Sequence, residues 1–281
     1  MAQDTIQDVV AIREWMSKEP HLPRDFDDEM IKKFLHSCYW SLEKTKKCIN
    51  RFCTTRSLMT NEIYSSRDPL APKLQDMFSV TVVASYEFEK EEIIIYKYDD
   101  PTVEKFNFYD LLKTLTIQID QWIKNSPITA DGHYLIADMS YFSLKMIPKI
   151  NIMFIRDFLQ FMLEGIPVRL KKLIAINAPS YYDKLYALVK PALPAEICEV
   201  IHFYPDYQSL YKYIDKKYLP SEYGGEAQSM YEQNDMWLKK IADDRRFYLN
   251  DNLWKADMNK KLKNGNADVT MNGSFKKLSI D

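Results

Sequence analysis

Ser180 and Asp183 stand within one helical turn of each other, and Asp138 closes an apolar run; these residue types could supply a nucleophile and an orienting carboxylate. A hydrolytic centre also needs a base within hydrogen-bond reach of the nucleophile. The histidines, His21, His36, His133 and His202, are scattered, and no motif brings one to Ser180. Asp138 is equally readable as a turn or cap residue. Cys38, Cys48, Cys53 and Cys198 show no C-x-x-C spacing, so neither a zinc site nor a redox dithiol is written into the chain. With six glycines and no G-x-G-x-x-G, Walker-type loop, H-E-x-x-H or G-x-S-x-G, phosphate-cradling and hydrolase signatures are absent. The expectation is a protein that is not an enzyme and carries no cofactor or metal.

What the sequence does supply is large apolar side chains at helical spacing. Tyr182, Leu185, Tyr186 and Val189 fall at i, i+3, i+4 and i+7, while Asp183, Lys184 and Lys190 face away. Pro191 ends that stripe, because proline lacks an amide hydrogen and disfavours helix in the residue before it. Two longer stretches carry similar stripes. In 106–124 they are Leu111, Leu112, Leu115, Thr116 and Ile119; in 145–164 they are Ile147, Ile150, Phe154, Phe158 and Phe161. Spacing alone allows these stripes either to meet in a dense core or to surround a cavity.

The elements that must position them follow in order. Residues 4–18, 29–38 and 41–59 read as three short helices, with Asp27, Asp28 and Ser41 as candidate N-caps. Asp68-Pro69 and Ala71-Pro72 mark a linker. Then 92–98, 132–139, 169–176 and 200–204 read as strands, the second without clean alternation and therefore covered on both faces. Strands alternating with helices argue for an α/β layer with a largely parallel sheet flanked by helices. Residues 229–254 look helical, and the lysine-rich, Asn/Gly-punctuated end reads as a flexible tail. The expected organisation is an N-terminal helical module over 1–70, an α/β domain over 71–250 and a tail over 251–281.

The chain has 281 residues and a net charge of −2, which gives no bulk electrostatic support for nucleic-acid binding. No apolar run approaches the roughly 20 residues of a membrane span. The opening MAQDTIQDVVAIREW lacks the apolar region of a signal peptide, so a cytoplasmic setting with reduced thiols is expected.

INAPSYYDKLYALVKPAL, then VIHFY, then LPSEYGGE occur in an order and spacing that resemble the CRAL-TRIO lipid-binding family, within it the tocopherol-transfer and retinaldehyde-binding branch. MIKKFLHSCYWSLEKTKKCINRFCTTRSLM more loosely resembles that family's N-terminal helical module. The resemblance implies that the helix from Tyr182 is a mobile gate over a lipid pocket and that LP-x-EYGG closes the domain. It implies a pocket lined by Leu112, Leu115, Thr116, Ile119, His133, Ala137, Ile150, Phe158, Phe161, Ile166, Val168, Leu170 and Leu173. Tyr182, Leu185, Tyr186, Val189 and Leu193 would form the lid.

Two departures refine that expectation. Where tocopherol-binding relatives place two serines, this chain has Leu115 and Ile119, leaving Thr116 and His133 as polar candidates, each of which could equally satisfy the protein's own groups. The positions of the family's phosphoinositide-gripping cluster hold Cys38, Arg169, Glu196 and Val200, and only Arg169 is cationic. Polyphosphate recognition needs converging cations. The reading is therefore a monomeric binder and carrier of a neutral hydrophobic molecule, of isoprenoid, retinoid, carotenoid or tocopherol class, with transient membrane contact through the gate. A phosphatidylinositol exchanger and a protein-interaction module with a vestigial pocket are the alternatives.

Overall fold

The computed structural model describes residues 2–127, 130–193 and 195–263; the side chains of residues 2–4, 185, 188, 189, 192, 196, 197, 262 and 263 are outside the description. Three helices come first: α1 (Ala2–Lys18), α2 (Asp28–Ser37) and α3 (Leu42–Leu58). The Asp27 carboxylate accepts from the Met30 amide and the Ser41 hydroxyl from the Lys44 amide, so two of the three candidate caps are made, while Asp28 is the first residue of α2. After α4 (Pro72–Phe78) the chain forms β1 (Thr81–Phe88) and β2 (Glu91–Tyr98), an antiparallel pair. Then follow α5 (Phe108–Asn125), β3 (His133–Asp138), α6 (Ile152–Glu164), β4 (Leu170–Ile176), α7 (Tyr182–Val189), α8 (Ala195–Val200) and β5 (Ile201–Phe203).

Among the described residues the sheet has five strands in the order β1-β2-β3-β4-β5, with β2 to β5 parallel. Neighbours in sequence are neighbours in space, and α5 and α6 lie over the same face. The other face is covered by 204–230, where Leu210, Ile214, Leu219, Tyr223 and Met230 pack on Val82, Ile93, Ile95, Ile136, Ile174 and Ile176. Helices α9 (Met230–Asp243), α10 (Arg245–Tyr248) and α11 (Met258–Lys263) complete the described chain.

The LPSEYGGE phrase closes this second face. Gly224 has φ +68, and a Cβ on Gly225 would lie 1.9 Å from the Leu219 carbonyl oxygen, so the turn requires glycine at both. Tyr223 donates its hydroxyl to Asp138 at 2.8 Å, and Asp138 also accepts from the Ser140 amide and the Asn177 side chain. Asp138 is thus a structural hub between β3 and the closing turn.

The N-terminal helices share an aromatic core with α5 and α6: Phe52 stacks near Phe34, Phe26, Phe161 and Trp254. The Arg56 guanidinium is fully buried and bidentate on Asp120 of α5 at 2.7 Å, and Arg67 reaches the same carboxylate at 2.7 Å. Asp120 pays a burial penalty that raises its pKa, but the two arginines outweigh it and hold it below its ordinary value.

Three sequence expectations change here. The helix expected from 145 starts at Ile152, because Pro148 interrupts the run and Asn151 caps the Phe154 amide. β1 lay unread between linker and β2. Residues 251–263 do not belong to a tail that starts at 251: Leu253, Trp254 and Ala256 are buried, and the Ala256 amide donates to Cys53. Apolar residues there find a place in the core. The remaining expected tail, 264–281, lies outside the described residues.

Candidate ligand cavity

Successive strand residues point to opposite faces, so Val83, Ser85, Ile94, Tyr96, Leu135, Ala137 and Leu173 turn away from the packed face toward α5 and α6. The space between holds a cavity of about 410 Å³. Its helical wall is Leu115, Gln118, Ile119 and Trp122 of α5 with Phe158, Leu159, Met162 and Leu163 of α6. Ile166, Val168 and Leu170 line it where the chain leaves α6, and Gln233, Met236, Trp237 and Lys240 of α9 complete it. Met236 is 51% exposed, so the cavity reaches solvent beside α9.

Of the residues assigned to the pocket wall from sequence, Leu115, Ile119, Ala137, Phe158, Ile166, Val168, Leu170 and Leu173 come together around this cavity. Leu112, Ile150 and Phe161 do not; they pack into the N-terminal core, with Phe161 stacked 6.3 Å from Phe52. Thr116 is buried and donates to the Lys113 carbonyl at 2.8 Å, a bond within its own helix. His133 is also a core residue. Its Nδ1 accepts from the Arg169 amide at 3.1 Å, and its Nε2 lies 3.5 Å from Glu92, which in turn accepts from the Trp122 indole.

The lid residues divide. Tyr182 stacks on Phe203 of β5 at 4.9 Å and Tyr186 lies 5.0 Å from the same ring, so both cover the edge strand and neither lines the cavity. Half-buried Leu193 is also outside it. The side chains of Leu185 and Val189 lie outside the described residues. Tyr181 donates its hydroxyl to the Phe142 carbonyl at 2.9 Å, fixing the start of α7 to the loop after β3.

Gln118 and Tyr96 were not read from sequence. Gln118 is 2% exposed and neither amide atom has a hydrogen-bond partner among the described residues; the Tyr96 hydroxyl is likewise buried and unpartnered. Burial drives the Tyr96 phenol upward, so it stays protonated. The signal existed: Gln118 and Trp122 stand at i+3 and i+7 from Leu115, so they share its stripe. A stripe drawn through Leu111, Leu112, Leu115, Thr116 and Ile119 passed over Gln118.

Arg169, the one cation retained from the family's phosphoinositide cluster, is committed elsewhere. Its guanidinium donates to the His36 carbonyl at 2.8 and 2.5 Å and lies 4.3 Å from the centre of the Tyr39 ring. The Glu196 side chain is outside the described residues. No cluster of metal-ligating side chains occurs among the described residues, and no described helix is long and apolar enough to cross a membrane.

The CRAL/TRIO domain family matches residues 79–225, from the approach to β1 through Gly225. The chain belongs to the CRAL-TRIO family. A second family, described as Pinta-like UBA domain, matches residues 2–74, which hold the N-terminal helices. The chain is 21% identical over 227 residues to the human alpha-tocopherol transfer protein-like protein, covering 79% of this chain and 66% of that one. It is 23% identical over 230 residues to clavesin-1 of Xenopus laevis, covering 79% and 68%. The match thus spans just under two thirds of the length of the tocopherol-transfer-like relative. A solved structure titled Crystal structure of Sfh5 superposes with a TM-score of 0.51 at 12% identity, covering 87% of this chain and 97% of that one. That likeness shows the fold. The CRAL-TRIO family is one of lipid-binding and lipid-transfer proteins, and its sheet-and-helix frame encloses the cavity described above.

Proposed function

We propose that this CRAL-TRIO protein binds and carries a neutral, elongated hydrophobic molecule of isoprenoid, retinoid, carotenoid or tocopherol class, without covalent chemistry. The observation that carries the reading is the cavity: about 410 Å³ walled almost wholly by aliphatic and aromatic side chains, within the range of small-molecule sites. At roughly 25 cal/mol per Å² of apolar surface, a ligand burying about 400 Å² gains on the order of 10 kcal/mol before ordering costs. No charged anchor is needed for that.

In this reading α7 is the gate, a cytoplasmic monomer is the carrier, and loading occurs at a membrane. The attachment of α7 supports the gate: its described rings rest on β5, a strand of three residues, and Pro191 interrupts the chain beyond it. Leu144 and Met153, 55% and 52% exposed, stand near Lys145 and Lys149 on the segment that Tyr181 is bonded to, a surface suited to an anionic bilayer. The similarity to a protein named alpha-tocopherol transfer protein-like agrees with the ligand class.

Solvent extraction of the purified protein followed by mass spectrometry tests the reading. A neutral apolar molecule is expected. A phospholipid would transfer the assignment to phospholipid exchange, and the consistent absence of any bound molecule, with no uptake from vesicles, would leave an interaction module. Leu185→Asp is expected to abolish ligand retention with the circular-dichroism spectrum unchanged; undiminished retention removes α7 as the gate.

A further inference from the structure

The fold pairs two cysteines that their spacing in the sequence leaves apart. Cys38 is the C-terminal cap of α2, and Cys48 lies in α3. Their thiols are hydrogen-bonded to one another across the corner between the two helices. The surroundings of the two sulfurs differ. Cys48 is 8% exposed, and its thiol faces the Gly165 carbonyl oxygen at 3.6 Å, just past α6. Cys38 is half-buried and so within reach of solvent, with the Ser37 hydroxyl 3.8 Å from its sulfur. The bond from Cys48 is the largest influence on the Cys38 thiol; together with the Ser37 and Thr45 hydroxyls and the Lys44 charge it outweighs partial burial and brings the group down to about 6. The same bond, with burial, pushes Cys48 upward, so at neutral pH the shared proton stays on Cys48 and Cys38 is the thiolate.

We propose that Cys38 and Cys48 are a reactive thiol pair that a hydroperoxide converts to an intramolecular disulfide. This stands apart from the lipid-carrier reading. The Cys38 sulfur attacks one peroxide oxygen and the O–O bond breaks. The leaving hydroxide takes up the proton that Cys38 had released to solvent, giving water and a sulfenic acid on Cys38. The Cys48 sulfur then attacks the Cys38 sulfur; the S–S bond forms, the S–O bond breaks, and the hydroxide leaves with the Cys48 proton as a second water. The two thiols give up two electrons and the peroxide gains them. A disulfide needs sulfurs whose side chains face each other, and these already touch. Burial keeps Cys48 from meeting the peroxide first. Oxidation also takes the Cys48 proton from the Gly165 carbonyl, and with it one of the bonds between the N-terminal helices and the segment that enters the cavity wall at Ile166.

The test treats the reduced whole chain with hydrogen peroxide at neutral pH, blocks the remaining thiols with an alkylating agent and maps the peptides by mass spectrometry. A disulfide between Cys38 and Cys48 is expected, reversed by dithiothreitol and formed on the order of 10-fold faster than Cys53 or Cys198 is oxidised. Cys48→Ser is expected to stop at a Cys38 sulfenic acid that dimedone captures. Cys38→Ser is expected to leave Cys48 unoxidised at the same peroxide dose. A wild-type map in which Cys38 stays free, goes on to sulfinic acid with no link to Cys48, or pairs with any other cysteine overturns the assignment. The wild-type map decides the matter by itself should either variant fail to fold.

Discussion

Ile93 and Ile94 are consecutive and chemically identical, yet Ile93 is sealed in solid packing and Ile94 borders the cavity. The same contrast runs across the sheet. One face is covered by 204–230, laid directly on the strands. The other is roofed by α5 and α6, which have obligations on their far sides. Asp120 ties α5 to Arg56 and Arg67, and Phe161 ties α6 to Phe52. Closing the gap would pull both helices from those partners. A cavity here follows from where its roof is anchored, and apolar residues are as plentiful around it as on the packed face.

The largest expected effect attacks the anchor. Asp120→Ala leaves two buried guanidinium groups uncompensated and should cost about 3–5 kcal/mol in urea unfolding. A loss below about 1 kcal/mol would remove the ion cluster as the roof's support. Next, Ile93→Ala should cost about 2–5 kcal/mol by opening a void in the packed face. Ile94→Ala, which only widens an existing space, should cost about 1 kcal/mol less or better. Equal losses would erase the difference between the faces.

Ala137→Phe should place a ring in the cavity with a stability change within about 1–2 kcal/mol, since the space is already there. Ligand uptake should fall by about 10-fold or more. A variant that binds ligand normally would show that the molecule sits elsewhere. The smallest effect appears only in acid. Asp100, just past the strand that carries both isoleucines, loses by burial, but bonds from the Thr102 hydroxyl, the Lys105 and Thr102 amides and Tyr98 hold it down at about 2. A carboxyl depressed on folding stabilises fully above its ordinary value of 3.8 and loses that contribution as pH falls toward 2. Asp100→Asn should therefore flatten the stability profile between those limits while changing it little in slope above them.

Much of this was legible in the chain. Hydrophobic period gave the helices, β-branched runs gave β2 and β4, and LPSEYGGE carried its own turn chemistry in two glycines. The wall residues that were found, such as Leu115, Ile119 and Leu173, lie where an apolar stripe and the cavity coincide. What escaped depends on tertiary contact. β1 turns into β2 through Glu89, a non-glycine residue at φ +57, so no turn signal flagged the pair. The stripes on α5 and α6 serve two cores at once, and spacing cannot say which side of a stripe meets Phe52 and which meets the cavity. Gln118 was passed over because polarity reads as exposure until a structure shows the residue buried. Trp237 and Met236 were placed on a helix, but its contact with β1 spans some 150 positions of sequence and leaves no local trace.

Trp254 sets the order in which the molecule can close during synthesis on the ribosome. Its indole packs against Phe26 and Phe52, and the Leu253 carbonyl accepts from Arg56. The helices made first therefore wait for nearly the last described residues before their interior is shut. Until that late segment emerges, a nest of aromatic rings stays uncovered, which makes this region the natural client of holding chaperones during synthesis.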